Sequence, residues 1–264
     1  MTYCGKRLAT LGTVTRLLVI QPDPEDPPGP LGDWLTAAGA RLDIVEPPAD
    51  PVPADLSGYA GLICLGGAMG ANDDFDHPWL ADVRRLLASA VTKQLPTLAI
   101  CLGGQLLAVA AGGSVVVGDD GPEVGPHLVA KRDLAWTDPL FAELPFMPDV
   151  LHFHSDMIDR LPPNSALLAA ATRYPNQAFR VGRCAYGLQF HIETTTELVL
   201  AWARDSPGEA EFARPGALTA DRLDQLHADM EETWRPVVGL FVKLAAGELE
   251  PAASVRTQLP LLGH

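Results

Sequence analysis

The sequence predicts an α/β fold with a mainly parallel central sheet, an antiparallel edge segment and a C-terminal helical extension. Three observations predict it. Strand-like apolar runs alternate with helix-like patterns from Arg16 to Ala111, the mark of βαβ units whose sheet is covered on both faces. From Ser114 to about Arg183 the pattern changes to short β-like pieces broken by Gly, Pro and Asp. After Ser206-Pro207-Gly208 it changes again, to one long helix-like stretch.

Each element follows from its own pattern. RLLVIQ, Arg16 to Gln21, reads as the first strand, and the proline-rich PDPEDPPGP after it as a loop. Leu31 to Ala40 reads as a helix, Arg41 to Glu46 as a second strand, and Pro47 to Pro53 as loop. YAGLICL, Tyr59 to Leu65, is a buried-type strand ending in Gly66-Gly67. His77-Pro78-Trp79 opens a helix through about Lys93, with proline near the first turn, where helices tolerate it. Leu95 to Ile100 is another strand and Leu102 to Ala111 another helix. In the middle section, SVVVG, HLVAKR, DVLHFH, ALLAAAT and QAFRV predict antiparallel strands at one edge of the sheet. CAYGLQF, Cys184 to Phe190, returns to a strand, followed by a helix from Thr194 to Arg204 and another from Leu218 to Ala246. The expected organisation is one domain over residues 1–205 with a helical extension, 206–264, packed on it. The proline-rich connections are expected to be surface loops without function.

Composition narrows the classes of function. The chain has 264 residues, 47% hydrophobic and 20% charged, enough for a substantial core. Its formal net charge of −14 argues against nucleic-acid binding and against docking on anionic membrane, since both need clustered Lys and Arg. No apolar run reaches the length of about eighteen residues that a membrane span needs. The first residues carry no sustained apolar segment of the secretory type, so a cytoplasmic location is expected. The four cysteines, Cys4, Cys64, Cys101 and Cys184, match no metal spacing, and no metal or cofactor is expected. Cys64 and Cys184 read as small buried hydrophobes in strands.

Cys101 is different, because it stands where a strand stops and a helix starts, in LPTLAICLGGQLLAVAAGG. In an open parallel sheet, ligands bind beyond the carboxyl ends of the strands. A thiol there feels the positive end of the following helix, which favours thiolate. The N–H of Leu102 points into the same space and suits an oxyanion, while Gly103 lets helix and strand approach closely. A nucleophile needs a base and the base an orienter. AYGLQFHIETT offers both: side chains two apart on a strand share a face, so His191 and Glu193 point the same way if the extended conformation persists. In LICLGGAMGANDD, the strand ending at Gly66-Gly67 offers backbone N–H groups for an oxyanion hole, although such strand ends also serve phosphate sites and plain turns. His154 and Asp156 read either as turn residues or as ligand contacts, Gln105 as a helix-surface glutamine or a ligand grip. His152 and His77 are expected to be structural. Glu123 is a candidate brace for the middle segment.

Together these stretches resemble the class I glutamine amidotransferases, the type with a Cys-His-Glu triad. The family's G-x-C-x-G-x-Q elbow is matched at Cys101, Gly103 and Gln105, and its Q-F-H-P-E by Gln189-Phe190-His191-Ile192-Glu193. Its glycine-rich oxyanion strand is similar to Gly66-Gly67-Ala68-Met69-Gly70, and its H-S/G-D element to His154-Ser155-Asp156. The resemblance covers roughly Arg16 to Arg204. Ala99, Ala68, Gly70 and Ile192 depart from the family's usual Gly, Pro, Ser and Pro, and none of these changes removes a reacting group.

The resemblance implies a flavodoxin-like three-layer fold and a glutaminase reaction. Cys101 would be the nucleophile, His191 the proton carrier and Glu193 its orienter. Gly66, Gly67 and Leu102 would form the oxyanion site, and Gln105, Ser155 and Asp156 would grip glutamine. About sixty residues follow Arg204, too few for an acceptor-activating domain, so the ammonia would pass to a separate synthetase protein. The alternatives are a free-standing cysteine hydrolase of γ-glutamyl peptides or amides, and a non-catalytic binding module, which predicts a degraded triad.

Overall fold

The computed structural model describes residues 14–254. Its frame is an eight-stranded sheet. In chain order the first elements are β1 (Thr15–Ile20), α1 (Gly29–Ala37), β2 (Ala40–Val45), β3 (Gly61–Cys64), α2 (Leu80–Lys93), β4 (Thr97–Ile100) and α3 (Leu102–Ala110). Then come β5 (Ser114–Val117), β6 (Glu123–Leu128), β7 (Ala130–Lys131), a 3₁₀ turn (Asp133–Thr137), β8 (Asp149–His154), β9 (Asp156–Arg160), β10 (Ser165–Ala170), β11 (Ala178–Val181) and β12 (Ala185–Leu188). Three helices close the chain: α4 (Thr196–Asp205), the four-residue α5 (Pro207–Ala210) and α6 (Ala220–Ala245).

The strand order is β2-β1-β3-β4-β12-β11-β10-β7. The pairs from β2 to β12 are parallel and those from β12 to β7 antiparallel. Every residue of β3, β4, β11 and β12 is buried, as strands covered on both faces require; Arg180 of β11 is buried with its guanidinium paired to Asp138 at 2.7 Å. Alternate residues feed two cores. Leu17, Val19, Ile63, Leu98 and Ile100 face α1, α4 and α6, while Leu18, Ile20, Leu62, Cys64 and Ala99 face α2 and α3. The mixed sheet matches the expected flavodoxin-like architecture, and the direction of chain travel reverses between β1 and β3, the kind of switch point where a crevice opens.

The edge expectation holds only in part. β7, β10 and β11 extend the sheet, but β5 pairs with β9 and β6 with β8 in two separate antiparallel ribbons. Short pieces of equal apolarity do not say which partner each will take; register and packing do.

Helix ends follow local chemistry. α2 buries Leu80, Val83, Leu86, Leu87 and Ala90 along one stripe and stops at Gln94, whose φ of 53° is left-handed. Thr195 caps α4 by accepting from the Leu198 N–H at 3.2 Å. α6 lays Leu223, Leu226, Met230, Trp234, Val238 and Phe241 into the core that also holds α1 and β8 residues. Trp234 is fully buried and donates its indole N–H to the Asp149 carbonyl at 2.9 Å. Truncating such a residue costs about 3–5 kcal/mol. Among the described residues no helix is long and apolar enough to cross a membrane.

Candidate active site

Cys101 sits between β4 and α3 with φ 49° and ψ −111°. A side chain at positive φ costs about 1–3 kcal/mol and persists only where its surroundings impose it. Here they do. The Cys101 N–H donates to the Leu188 carbonyl at 2.8 Å, and the Gly103 N–H to the Leu65 carbonyl at 3.1 Å. A Cβ on Gly103 would lie 2.2 Å from the Cys64 carbonyl oxygen, and one on Gly104 would lie 2.5 Å from that of Leu188. The two glycines thus let α3 start pressed against β3 and β12, and the chain must turn sharply at the cysteine. Its thiol stands at the N-terminus of α3. The other described cysteines, Cys64 and Cys184, are also buried. Burial pushes the Cys64 thiol up to about 12 and the Cys184 thiol up to about 11.

His191 and Glu193 meet, but not for the reason the sequence suggests. β12 ends at Leu188, so no strand carries the pair. His191 instead makes an isolated antiparallel bridge to Leu151 of β8, its N–H donating to the Leu151 carbonyl at 2.8 Å. The crossing with the β6–β8 ribbon fixes the backbone. His191 Nδ1 donates to Glu193 Oε1 at 2.5 Å, and Glu193 Oε2 accepts the Ile192 N–H at 2.8 Å. Both side chains are buried, and Trp202 packs 5.0 Å from the imidazole. Burial alone would keep His191 neutral. Glu193 and then the neighbouring Cys101 thiol outweigh it and raise the imidazole well above its ordinary range. Nε2 is buried without a hydrogen bond of ordinary geometry, and the sulfur is the remaining group that acts on the ring.

The glycine pair after β3 lies against the same centre. A Cβ on Gly66 would fall 3.2 Å from His191 Cε1, and one on Gly67 would fall 3.2 Å from Leu102 Cδ2. Among the described residues, the Gly66, Gly67 and Leu102 N–H groups donate to no protein acceptor. They are donors that the protein leaves unengaged around the His191 and Leu102 side chains.

One residue here escapes the sequence reading. Asp26, in the proline-rich loop expected to be a functionless surface connection, is 3% exposed. Its Oδ2 lies 2.0 Å from where a Gly66 Cβ would be, so only glycine fits at Gly66. Its Oδ1 has no hydrogen-bond partner. Burial first, then the Glu193 charge, push the carboxyl up to about 8, so it is largely protonated at neutral pH. No periodicity marks an acid in such a loop; the only available signal is that it follows β1 at the carboxyl edge of the sheet.

The sequence model of the "Glutamine amidotransferase class-I" family matches residues 33–198, more than half of the chain. The chain belongs to the class I glutamine amidotransferases. It is therefore a cysteine-dependent enzyme of that class. It is 33% identical over 205 residues to the glutamine-hydrolyzing GMP synthase of Christiangramia forsetii, covering 77% of this chain and 35% of that protein. It is 30% identical over 162 residues to a Thermoplasma acidophilum protein named as one subunit of a glutamine-hydrolyzing GMP synthase, covering 61% of this chain and 76% of that one. A glutamine amidotransferase crystal structure from Thermotoga maritima superposes with a TM-score of 0.76 at 27% identity, over 89% of this chain and 99% of that one. The chain spans about a third or less of the length of the first curated synthases it matches.

The expected glutamine-gripping residues of this amidotransferase lie together, and Gln105 and Ser155 are engaged by the protein. Gln105 is not a helix-surface residue. It is buried, and its Nε2 donates to the Asp156 carbonyl at 3.1 Å and to Gln189 Oε1 at 3.4 Å, tying α3 to β9. Ser155 donates to Glu209 Oε1 at 2.5 Å, which joins α5 to this segment. Asp156 is half-buried; burial and the nearby Asp73 and Glu209 carboxylates raise its carboxyl, giving the site an acidic rim. Glu123 does brace the middle segment: its Oε2 accepts from Gln177 at 2.8 Å and lies 3.3 Å from His154 Nε2. Two buried groups bring three potential metal-ligand atoms within 4.8 Å of one another, Glu123–His152–His154 and Asp26–His191–Glu193. Among the described residues, a His152–His154 contact lies within the first group and a His191–Glu193 bond within the second.

Proposed function

We propose that this amidotransferase hydrolyses the side-chain amide of glutamine and passes the ammonia to an acceptor on a separate protein. The observation that carries this reading is the thiol held at the positive-φ elbow beside an imidazole that Glu193 orients.

In this reading Cys101 is the nucleophile. Its thiolate attacks the side-chain carbonyl carbon, a C–S bond forms, and the negative oxygen is held by the N–H groups of Leu102 and the Gly66-Gly67 turn. His191 gives its proton to the amide nitrogen, the C–N bond breaks and ammonia leaves. His191 then takes a proton from water, which attacks the thioester; the C–S bond breaks, releasing glutamate and the thiolate. Glu193 holds the imidazolium and fixes its orientation throughout. The acidic rim of Asp73, Asp156 and Glu209 suits the α-ammonium group of a free amino acid. The likeness to a protein named as one subunit of a synthase supports the separate acceptor.

Glutamate release from glutamine tests the reading, with Cys101→Ala as control. Wild type should release glutamate and the variant should be slower by about a thousandfold or more. Turnover that survives Cys101→Ala refutes the nucleophile. Cleavage of γ-glutamyl dipeptides in place of glutamine would make the chain a free-standing hydrolase instead.

A further inference from the structure

Acids outnumber Lys and Arg by 33 to 19, so an unpaired arginine near a carboxylate-rich surface should find a partner easily. One cavity of about 470 Å³ departs from this. Arg173 reaches it from the loop between β10 and β11, Arg214 from the segment between α5 and α6, and Arg222 from the first turn of α6. Among the described residues none of the three guanidinium groups forms an ion pair, and only that of Arg173 makes a hydrogen bond, to the Pro122 carbonyl at 2.7 Å. The half-buried His127 of β6 also lines the cavity. Burial lowers its pKa, Glu123 opposes this, and Arg214 and Arg173 lower it further, so the cations converge on it.

Two acids share the lining. Glu123 is turned to Gln177 and the His154 ring, and Asp149 is a carboxyl raised by burial that Arg222 only partly offsets. Neither satisfies the guanidinium groups. The first turn of α6, which carries Arg222, has no side-chain cap at Thr219. Beside the arginines stand Phe212 and Met147, 51% and 46% exposed, an apolar wall open to solvent. Like charges gathered without ion-pair partners repel, and guanidinium forks match phosphate and carboxylate geometry.

We propose that this cavity binds a small organic anion: its phosphate or carboxylate is held by Arg173, Arg214 and Arg222, and its ring or apolar body lies on Phe212 and Met147. The site is separate from the Cys101 centre and stands whether or not the glutaminase reading does.

Calorimetric titration of the full chain with phenyl phosphate, and with phenol as the neutral control, tests it. Phenyl phosphate should bind at millimolar concentration or tighter, more weakly as salt rises, and phenol should not. Arg214→Gln with Arg222→Gln should weaken binding by about tenfold for each guanidinium lost, while leaving the ligand-free melting temperature and the rate of glutamate release unchanged. Arg214→Lys, which keeps the charge but loses the fork, should weaken it less, and reads the site even if the double variant does not fold. The proposal is overturned if phenyl phosphate does not bind, if phenol binds equally well, or if neither arginine variant changes the affinity.

Discussion

Two buried histidine–glutamate clusters lie side by side in this molecule, joined through the backbone bridge between His191 and Leu151. In one, His191 donates to Glu193 at 2.5 Å and is raised well above its ordinary range despite complete burial. In the other, His152 stands 3.8 Å from Glu123 and 3.1 Å from His154, and is held well below it. Burial is the largest influence on both rings and acts in the same direction. What separates them is contact. Glu193 gives one oxygen wholly to His191, and the thiol adds to its pull. Glu123 spends its charge on Gln177 and His154, and the neighbours of His152 are further imidazoles, which oppose its protonation. A buried His beside a Glu is therefore raised or lowered depending on about an ångström of separation and on what else the carboxylate holds.

That contrast breaks if Glu193 proves dispensable. Glu193→Gln should slow glutamate release by about a hundredfold or more, second only to loss of Cys101. The sign of its pH dependence is also fixed. The folded-state His191 pKa is raised, so the pair's stabilisation is complete below about pH 6.5 and fades as pH rises through the folded value. Thermal melts should therefore show a larger gap between wild type and Glu193→Gln in mild acid than in alkali. His152→Gln should do the reverse of Glu193→Gln in kind: a loss of about 2 kcal/mol of stability in denaturant titration, with glutamate release within about tenfold of wild type. If a folded His152→Gln enzyme were as slow as Glu193→Gln, the two clusters would not differ as described.

Asp26 sharpens the comparison from a third side. Its carboxyl is raised to about 8 against an unfolded value of 3.8, so the folded chain keeps a proton that the unfolded chain releases. Wild type should lose stability on this account as pH climbs between those values, and Asp26→Asn should not. The variant should gain about 1 kcal/mol or more over wild type by neutral pH, read as a widening difference in melting temperature. The smallest effect is expected at the rim. Ser155→Ala, which frees Glu209, should change the KM for glutamine a few-fold and leave kcat nearly unchanged.

Much of this site is legible in one dimension because its local geometry is made by neighbours in the chain. The elbow is written as an apolar strand, a cysteine and two glycines, and the structure uses both glycines for close approach to β3 and β12. Cys64 and Cys184 read as buried strand residues; both are buried, Cys64 in β3 but Cys184 in the turn between β11 and β12. Strand periodicity puts His191 and Glu193 on one face, yet the strand ends before them and a long-range bridge does the positioning. The sequence leaves Gln105 open between surface and grip, and the structure makes it a buried tie to a carbonyl 51 positions on. Asp26 is marked in the sequence only by its place after β1, because its loop has no period to read.

By itself the sequence determined the alternation of strands and helices, the place of the thiol at a strand end and the order in which Cys101, His191 and Glu193 occur. These depend on spacing along the backbone, which apolar periodicity and glycine report directly. The tertiary structure alone decided which imidazole is raised and which lowered, which short strands form ribbons apart from the sheet, and that an acid from a proline-rich loop sits against the glycine turn. Those outcomes depend on distances between residues far apart in the chain, and at these ranges an ångström of separation or one shared hydrogen bond outweighs residue type.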